Sequence, residues 1–254
     1  MEALSDPLFL FCIVVAAITV GISKSGLMVS IGAMNVPLLT LVMSARDAAG
    51  VLLPVMIVVD LLALGYYVRF ADRRILETLL PGAALGIAIG WLLSSWIDEN
   101  TVRLAIGLVT LAFVLDAWLG LRKKLKSMPP SRLRGTFWGS LSGFTSFISH
   151  TGGPAFQIYV IPQKLPPVRF AGTAAVFFAV TNIVKLLPYY FLNQLAVDNL
   201  KLSAMMVPIA IVSMGFGFYL VRRIGTGLYY RLAYALLFLF SLKLIWDSVT
   251  GYLA

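Results

Sequence analysis

Two short stretches of an apolar chain carry side chains able to do chemistry: Ser23-Lys24-Ser25-Gly26 and Ser149-His150-Thr151-Gly152-Gly153-Pro154. Each sets a basic residue among hydroxyls and among residues that interrupt a helix. Glycine permits an unwound turn and a close approach of backbone to a ligand. Proline in the first helical turn gives up an N–H that would lack a partner anyway. A helix that starts inside a membrane presents free N–H groups and the positive end of its dipole, and lipid satisfies neither. Ser149, His150, Thr151, Gly152 and Gly153 are therefore suited to cradle an oxyanion. Ser23, Lys24, Ser25 and Gly26 offer the same at the equivalent place in the first half, so that two half-helix N-termini converge on one midplane site. Lys24 supplies a fixed charge there, and His150 a titratable one with an unperturbed pKa of about 6.5. A lysine at mid-depth costs about 2.5–3.5 kcal/mol on insertion scales, which argues for a role beyond anchoring at the interface.

Asp60, Asn182 and Lys185 lie inside apolar spans. Asn182 and Lys185 share a helix face. Asp60 and Lys185 either pair with each other or contact substrate or a coupling ion, and the residues alone leave both open. Phe144, Phe147 and Phe178 would line the site for a small ligand.

These residues need elements to position them. The chain has 254 residues, 60% of them hydrophobic and 12% charged, with a mean hydropathy of +0.92. This predicts an all-α polytopic membrane protein. Apolar runs at 46–68, 75–96, 101–121, 168–192, 201–221 and 228–249 are each long enough to cross, because about 20 helical residues cover roughly 30 Å. Two regions, 7–43 and 135–161, are interrupted at the two polar stretches. Residues 152–161 as helix would reach only about 15 Å, so both regions read as hairpins of short helices that meet inside the membrane. Gly82, Gly86 and Gly90 follow Pro81 as a small-residue ladder for close helix packing. Tyr66, Tyr67, Tyr189 and Tyr190, near helix ends, read as an interfacial belt.

The chain is laid out twice. Ile22, Ser23 and Gly26 fall on Ile148, Ser149 and Gly152; Arg46, Tyr66 and Tyr67 on Arg169, Tyr189 and Tyr190; Pro81 and Gly90 on Pro208 and Gly217; Arg103 and Trp118 on Arg231 and Trp246. A first repeat, 1–121, holds hairpin 7–43 and helices 46–68, 75–96 and 101–121. A second, 135–254, holds hairpin 135–161 and helices 168–192, 201–221 and 228–249. Between them the linker 122–134 carries Arg122, Lys123, Lys124, Lys126, Arg132 and Arg134 and is expected to be cytoplasmic by the positive-inside rule. Most other basic residues fall at 69–74, 162–169 and 222–231, on the same side. Three crossings per half make the repeats inverted, an arrangement associated with alternating access.

Several classes fall away. The run at 7–22 has no basic residues before it and is read as part of the mature protein. Cys12 alone excludes an intrachain disulfide. The net charge of +9 is explained by membrane orientation, and no nucleic acid partner is expected. The one histidine has no carboxylate near it in sequence and the hydroxyls flank glycines in no nucleophile-elbow pattern, so the chain does not read as an enzyme; no metal or cofactor is expected.

GISKSGLMVSIGAMNVPLL in the first hairpin, FTSFISHTGGPAFQIYVIP in the second and GTAAVFFAVTNIVKLLPYY in the following helix resemble the TauE/SafE sulfite exporter family of bacterial inner-membrane proteins. The resemblance runs from about residue 8 to 249 and includes the Pro81-Gly82 helix and the duplicated layout. Ser23-Lys24-Ser25 stands where the commoner branch has a glycine-rich motif, which places the chain in a lysine-bearing subgroup. The resemblance implies that Lys24, His150, Gly152, Gly153, Asn182 and Lys185 occupy motif positions. It also implies transport of a small oxyanion, foremost sulfite or an organosulfonate such as sulfoacetate, with export favoured. A passive anion channel and a carboxylate transporter of the same fold are the alternatives. Coupling to protons or sodium and assembly as a homodimer stay open.

Overall fold

The computed structural model describes residues 6–26, 29–94, 96, 99–119 and 131–253, and these are helical with no strand among them. Polar residues start α1 (Pro7–Lys24), α3 (Ala45–Tyr67) and α4 (Arg73–Leu92). Asp6 accepts from the Leu8 N–H ahead of α1, with proline in the first turn; Ser44 caps α3; Asp72 caps α4. A 3-10 helix (Val29–Met34) and a five-residue α2 (Asn35–Leu39) lie between α1 and α3. Next come α5 (Glu99–Leu119), α6 (Arg132–Ser149), α7 (Gly153–Val160), α8 (Pro167–Phe191), α9 (Val197–Arg223) and α10 (Thr226–Leu253). Residues 122–130 of the basic linker lie outside the described residues, as do Asp98 and the side chains of Glu99, Arg103 and Asp116; Arg132 and Arg134 belong to α6.

Among the described residues, six helices are long and apolar enough to cross a membrane: α1, α3 with the turn to Phe70, α4, α8, α9 and α10 up to Gly251. α1, read as part of the first hairpin, joins five of the expected spans; α5 runs 21 residues, with Leu104–Leu115 as its apolar stretch among the described residues. The hairpins are also not pairs of short helices. α1 and α6 each run 18 residues, about 27 Å, because nothing in either sequence stops the helix before the glycine-bearing turn. Only the returning limbs are short: the 3-10 helix with α2 in the first hairpin, and α7, of 8 residues, with a 3-10 turn Ile161–Gln163 in the second.

The main pairings cross between halves: α4 on α6, α5 on α10, α1 on α9 and α3 on α8. Exchanging the halves maps α1–α9 onto α6–α4 and returns the other two pairs to themselves. Glycines make the α4–α6 contact close. A Cβ on Gly82 or Gly86 would strike the backbone of Thr136 or Ser140, and one on Gly139 or Gly143 would strike that of Leu79 or Ala83. The ladder on α4 is thus answered by one on α6.

Tyr67 and Tyr189 are not belt residues. Both are buried, at 0% and 1% exposure. Each donates a 2.9 Å hydrogen bond to a carbonyl at the end of a hairpin helix, Tyr67 to Ser25 and Tyr189 to Phe147. Helices that end inside the protein leave carbonyls without partners, and a buried phenol answers one of them. Tyr190 is exposed and Tyr66 stacks on Phe218. The register between the two helices is therefore one residue from that read in the sequence, with Tyr67 matching Tyr189 as Asp60 matches Asn182.

Candidate functional site

Lys24 is the last residue of α1, where free carbonyls and the negative end of the dipole favour a cation. This corrects the expectation that it sits at a helix start. Its Nζ lies 2.8 Å from Asp60 Oδ1 and 2.9 Å from Oδ2, with the two side chains 9% and 2% exposed. Asn182 Nδ2 donates to the same Oδ2 at 2.6 Å. Asp60 is thus paired with Lys24 and Asn182, and the alternative pairing with Lys185 does not form. About 10 Å of helix separates Asp60 from Tyr67 at the end of α3, so the cluster lies well inside the helix layer.

Lys185, one turn along α8 from Asn182, reaches the second hairpin instead. Its Nζ donates to the Ser146 carbonyl and Oγ, both at 3.1 Å, and lies 2.8 Å from His150 Nδ1. His150 Nε2 is 3.1 Å from the Ala49 carbonyl. A carbonyl only accepts, so the hydrogen sits on Nε2 and Nδ1 accepts from the lysine. His150 ends α6 in the left-handed region at φ 55°, a conformation that non-glycine residues adopt at a cost of about 1–3 kcal/mol. The strained turn leads the chain from α6 into α7 and sets the imidazole against α3 and α8.

Between Lys24 and His150 lies a cavity of about 30 Å³, room for roughly two waters. Ser23, Lys24, Ser146, His150, Gly153 and Asn182 border it, with Phe178, Met56, Val29 and Gly32 completing the wall. α7 begins at this wall with Gly153, and its first N–H with a backbone acceptor is that of Phe156, bonded to the Gly152 carbonyl at 3.2 Å. The positive end of α7 therefore adds to Lys24 at the cavity, with Lys185 behind Ser146 and His150. In the first hairpin the chain after the turn is 3-10 helix, so one α-helical N-terminus meets the cavity and not two. Phe178 places its ring 5.4 Å from Lys24 Nζ. Phe147 packs on Tyr189 and Phe144 lies where α6 meets Gly86; neither lines the space.

The remaining expected residues hold the breaks together. Ser25 Oγ donates to the Ile22 carbonyl at 2.6 Å. Gly26, at φ 82°, presents its carbonyl to Tyr229 Oη at 2.6 Å. The Ser149 and Thr151 hydroxyls are 3.0 Å apart, Thr151 Oγ1 donates to the Thr145 carbonyl at 3.2 Å, and the Gly152 carbonyl accepts from Ser142 Oγ at 2.7 Å. Their hydroxyls and carbonyls replace the helical bonds lost at the turns.

Sequence reasoning missed Ser146, Met56 and Tyr229. Ser146 stands four residues before His150, a spacing that puts both on one helix face. Tyr229 lies 203 residues from Gly26 and carries no local signal. Among the described residues no group of His, Cys, Asp or Glu could hold a metal ion.

The sequence model of one family, described as Sulfite exporter TauE/SafE, matches residues 13–244. No curated protein and no solved structure matches at a significant level.

Proposed function

This chain belongs to the sulfite exporter TauE/SafE family, and we propose that it is a secondary transporter of a small oxyanion, sulfite or an organosulfonate such as sulfoacetate, exported by alternating access. The family and the six long apolar helices make it a multi-pass membrane protein; we place it in the bacterial inner membrane with the linker 122–134 in the cytoplasm. The observation that carries the reading is the cavity where Lys24, His150 and the start of α7 meet. Two lysines and a helix dipole against one carboxylate leave an excess of positive charge, and a buried excess calls for an anion.

The space beside Lys24 admits about two waters, far less than a continuous pore requires, which favours a carrier over a passive channel. A sulfonate or sulfite group needs more room, so it enters as the hairpin tips part. Pairing across halves supports an inverted duplication in which the bodies that move are the mixed pairs α1–α9 and α4–α6. Opening one side and closing the other would expose the cavity alternately.

The test is thermal unfolding of the purified protein with sulfite, sulfoacetate, isethionate, sulfate, taurine and simple carboxylates. A ligand at a hundred times its Kd adds about 2.7 kcal/mol of stability. We expect this for sulfite or a sulfonate, and its loss in Lys24→Ala and His150→Ala. A shift with carboxylates alone would reassign the substrate, and no shift with any anion in folded protein would overturn the reading.

A further inference from the structure

We infer that Asp60 is a resident carboxylate that holds the place of the transported anion in the empty carrier and takes up one proton each time the anion binds; this rests on the transporter reading above. Lys24 Nζ contacts both carboxylate oxygens of Asp60, at 2.8 and 2.9 Å. The paired oxygens of a sulfonate would use that same approach. An anion that takes this approach meets the same face of the ammonium that Asp60 already occupies. An incoming anion therefore reaches Lys24 only as Asp60 leaves it.

Charge balance sets the fate of the displaced carboxylate. The groups that face Asp60 are Lys24 from α1 and Asn182 from α8, with the charge of Lys185 on α8 acting from further off. Lys185 is engaged with Ser146 and His150 and is the same in both states. Once Lys24 serves the anion, Asp60 keeps only the Asn182 amide. A buried carboxylate stripped of its cation is strongly disfavoured. It takes a proton from the water then facing the site and releases it on the far side, when the anion departs and Lys24 returns. Lys185 contributes alike to both states, so Lys24 with ionised Asp60 and Lys24 with a monoanion and protonated Asp60 carry the same net charge. Both forms can change sides, and each cycle moves one anion and one proton together.

Replacing Asp60 by Asn breaks one form and spares the other. Lys24 with a bound monoanion keeps the wild-type net charge, but empty Lys24 adds one unpaired buried charge, and that form does not cross. Asp60→Asn should therefore exchange anion for anion while losing net transport.

The experiment uses full-length protein in liposomes loaded with labelled isethionate, a monovalent sulfonate, with an internal pH dye. Wild-type net efflux should alkalinise the lumen by one proton per anion. Asp60→Asn should cut net efflux roughly tenfold or more, continue isethionate exchange without proton movement, and bind isethionate about tenfold more tightly because nothing competes for Lys24. Asp60→Glu should restore net efflux. Wild-type efflux without proton movement, or net efflux in Asp60→Asn at the wild-type rate, would overturn the inference. If Asp60→Asn loses exchange too, binding decides: tighter binding supports the competition, and unchanged or weaker binding overturns it. Absence of wild-type flux with isethionate, sulfite and sulfoacetate alike would overturn the transporter reading and this inference with it.

Discussion

Asp60 on α3 accepts a 2.6 Å hydrogen bond from Asn182 on α8, and the two residues hold matching places in their halves of the chain. The matching places are therefore filled by a carboxylate in one half and an amide in the other, and the halves differ where charge is needed. On one side Lys24 completes an ion pair; on the other, Lys185 donates to Ser146 and His150.

The ion pair predicts a thermodynamic signature. Lys24→Ala leaves Asp60 buried without its cation and should cost about 3–5 kcal/mol of stability. Adding Asp60→Asn removes the orphaned charge, so the double variant should recover at least half of that loss. A double-mutant cycle by thermal unfolding in detergent measures the coupling. Additive losses would mean that the pair is not formed in solution.

The tyrosines separate buried caps from a belt. Tyr67→Phe and Tyr189→Phe each strand a buried carbonyl and should cost about 1–3 kcal/mol. Tyr190→Phe, on an exposed side chain, should change stability by about 0.5 kcal/mol or less. Equal effects at all three positions would restore the belt reading.

Glycines give opposite signs by position. Gly86→Ala or Gly139→Ala drives a methyl into the facing backbone and should cost about 1–3 kcal/mol or more. A methyl at Gly215 in α9 would meet nothing within 4 Å, so Gly215→Ala should stabilise by about 0.5–1 kcal/mol through helix propensity. Melting temperatures of the three variants give the comparison directly.

Thr151 tests which hydroxyls serve the ligand. Its Oγ1 is bonded inward to the Thr145 carbonyl, so Thr151→Val should lower stability by about 1 kcal/mol and leave anion affinity unchanged. Ser146→Ala removes a hydrogen-bond partner of Lys185 at the cavity wall and should weaken anion binding by about threefold to tenfold. Titration of the anion-induced thermal shift distinguishes them; weaker binding in Thr151→Val would return that hydroxyl to the site.

Much of this arrangement was legible because it is written locally. Long apolar runs give helices, Gly152-Gly153-Pro154 gives the break before α7, and Gly82, Gly86 and Gly90 announce a close contact. The partners of those features were not legible. Lys24 finds Asp60 across 36 residues and Asn182 finds Asp60 across 122, and no periodicity encodes which of two lysines a carboxylate takes. The Tyr-Tyr pairs misled for a related reason: an aromatic near a helix end suits an interface equally well as a buried cap, and only packing from the other half decides. The same limit applied to Thr151, whose hydroxyl had two uses and satisfied the backbone first.

The cross-half pairing also sets an order of assembly. As the chain is synthesised, α1 and α4 emerge before their partners α9 and α6 exist, so the glycine-lined face of α4 waits through the making of α5 and the linker. α6 then arrives and the two ladders close, but α1 has no companion until α9 is made. The first half cannot mature as an independent intermediate, and a chain that stops in the linker leaves the biosynthetic machinery with a product whose principal faces have nothing to meet.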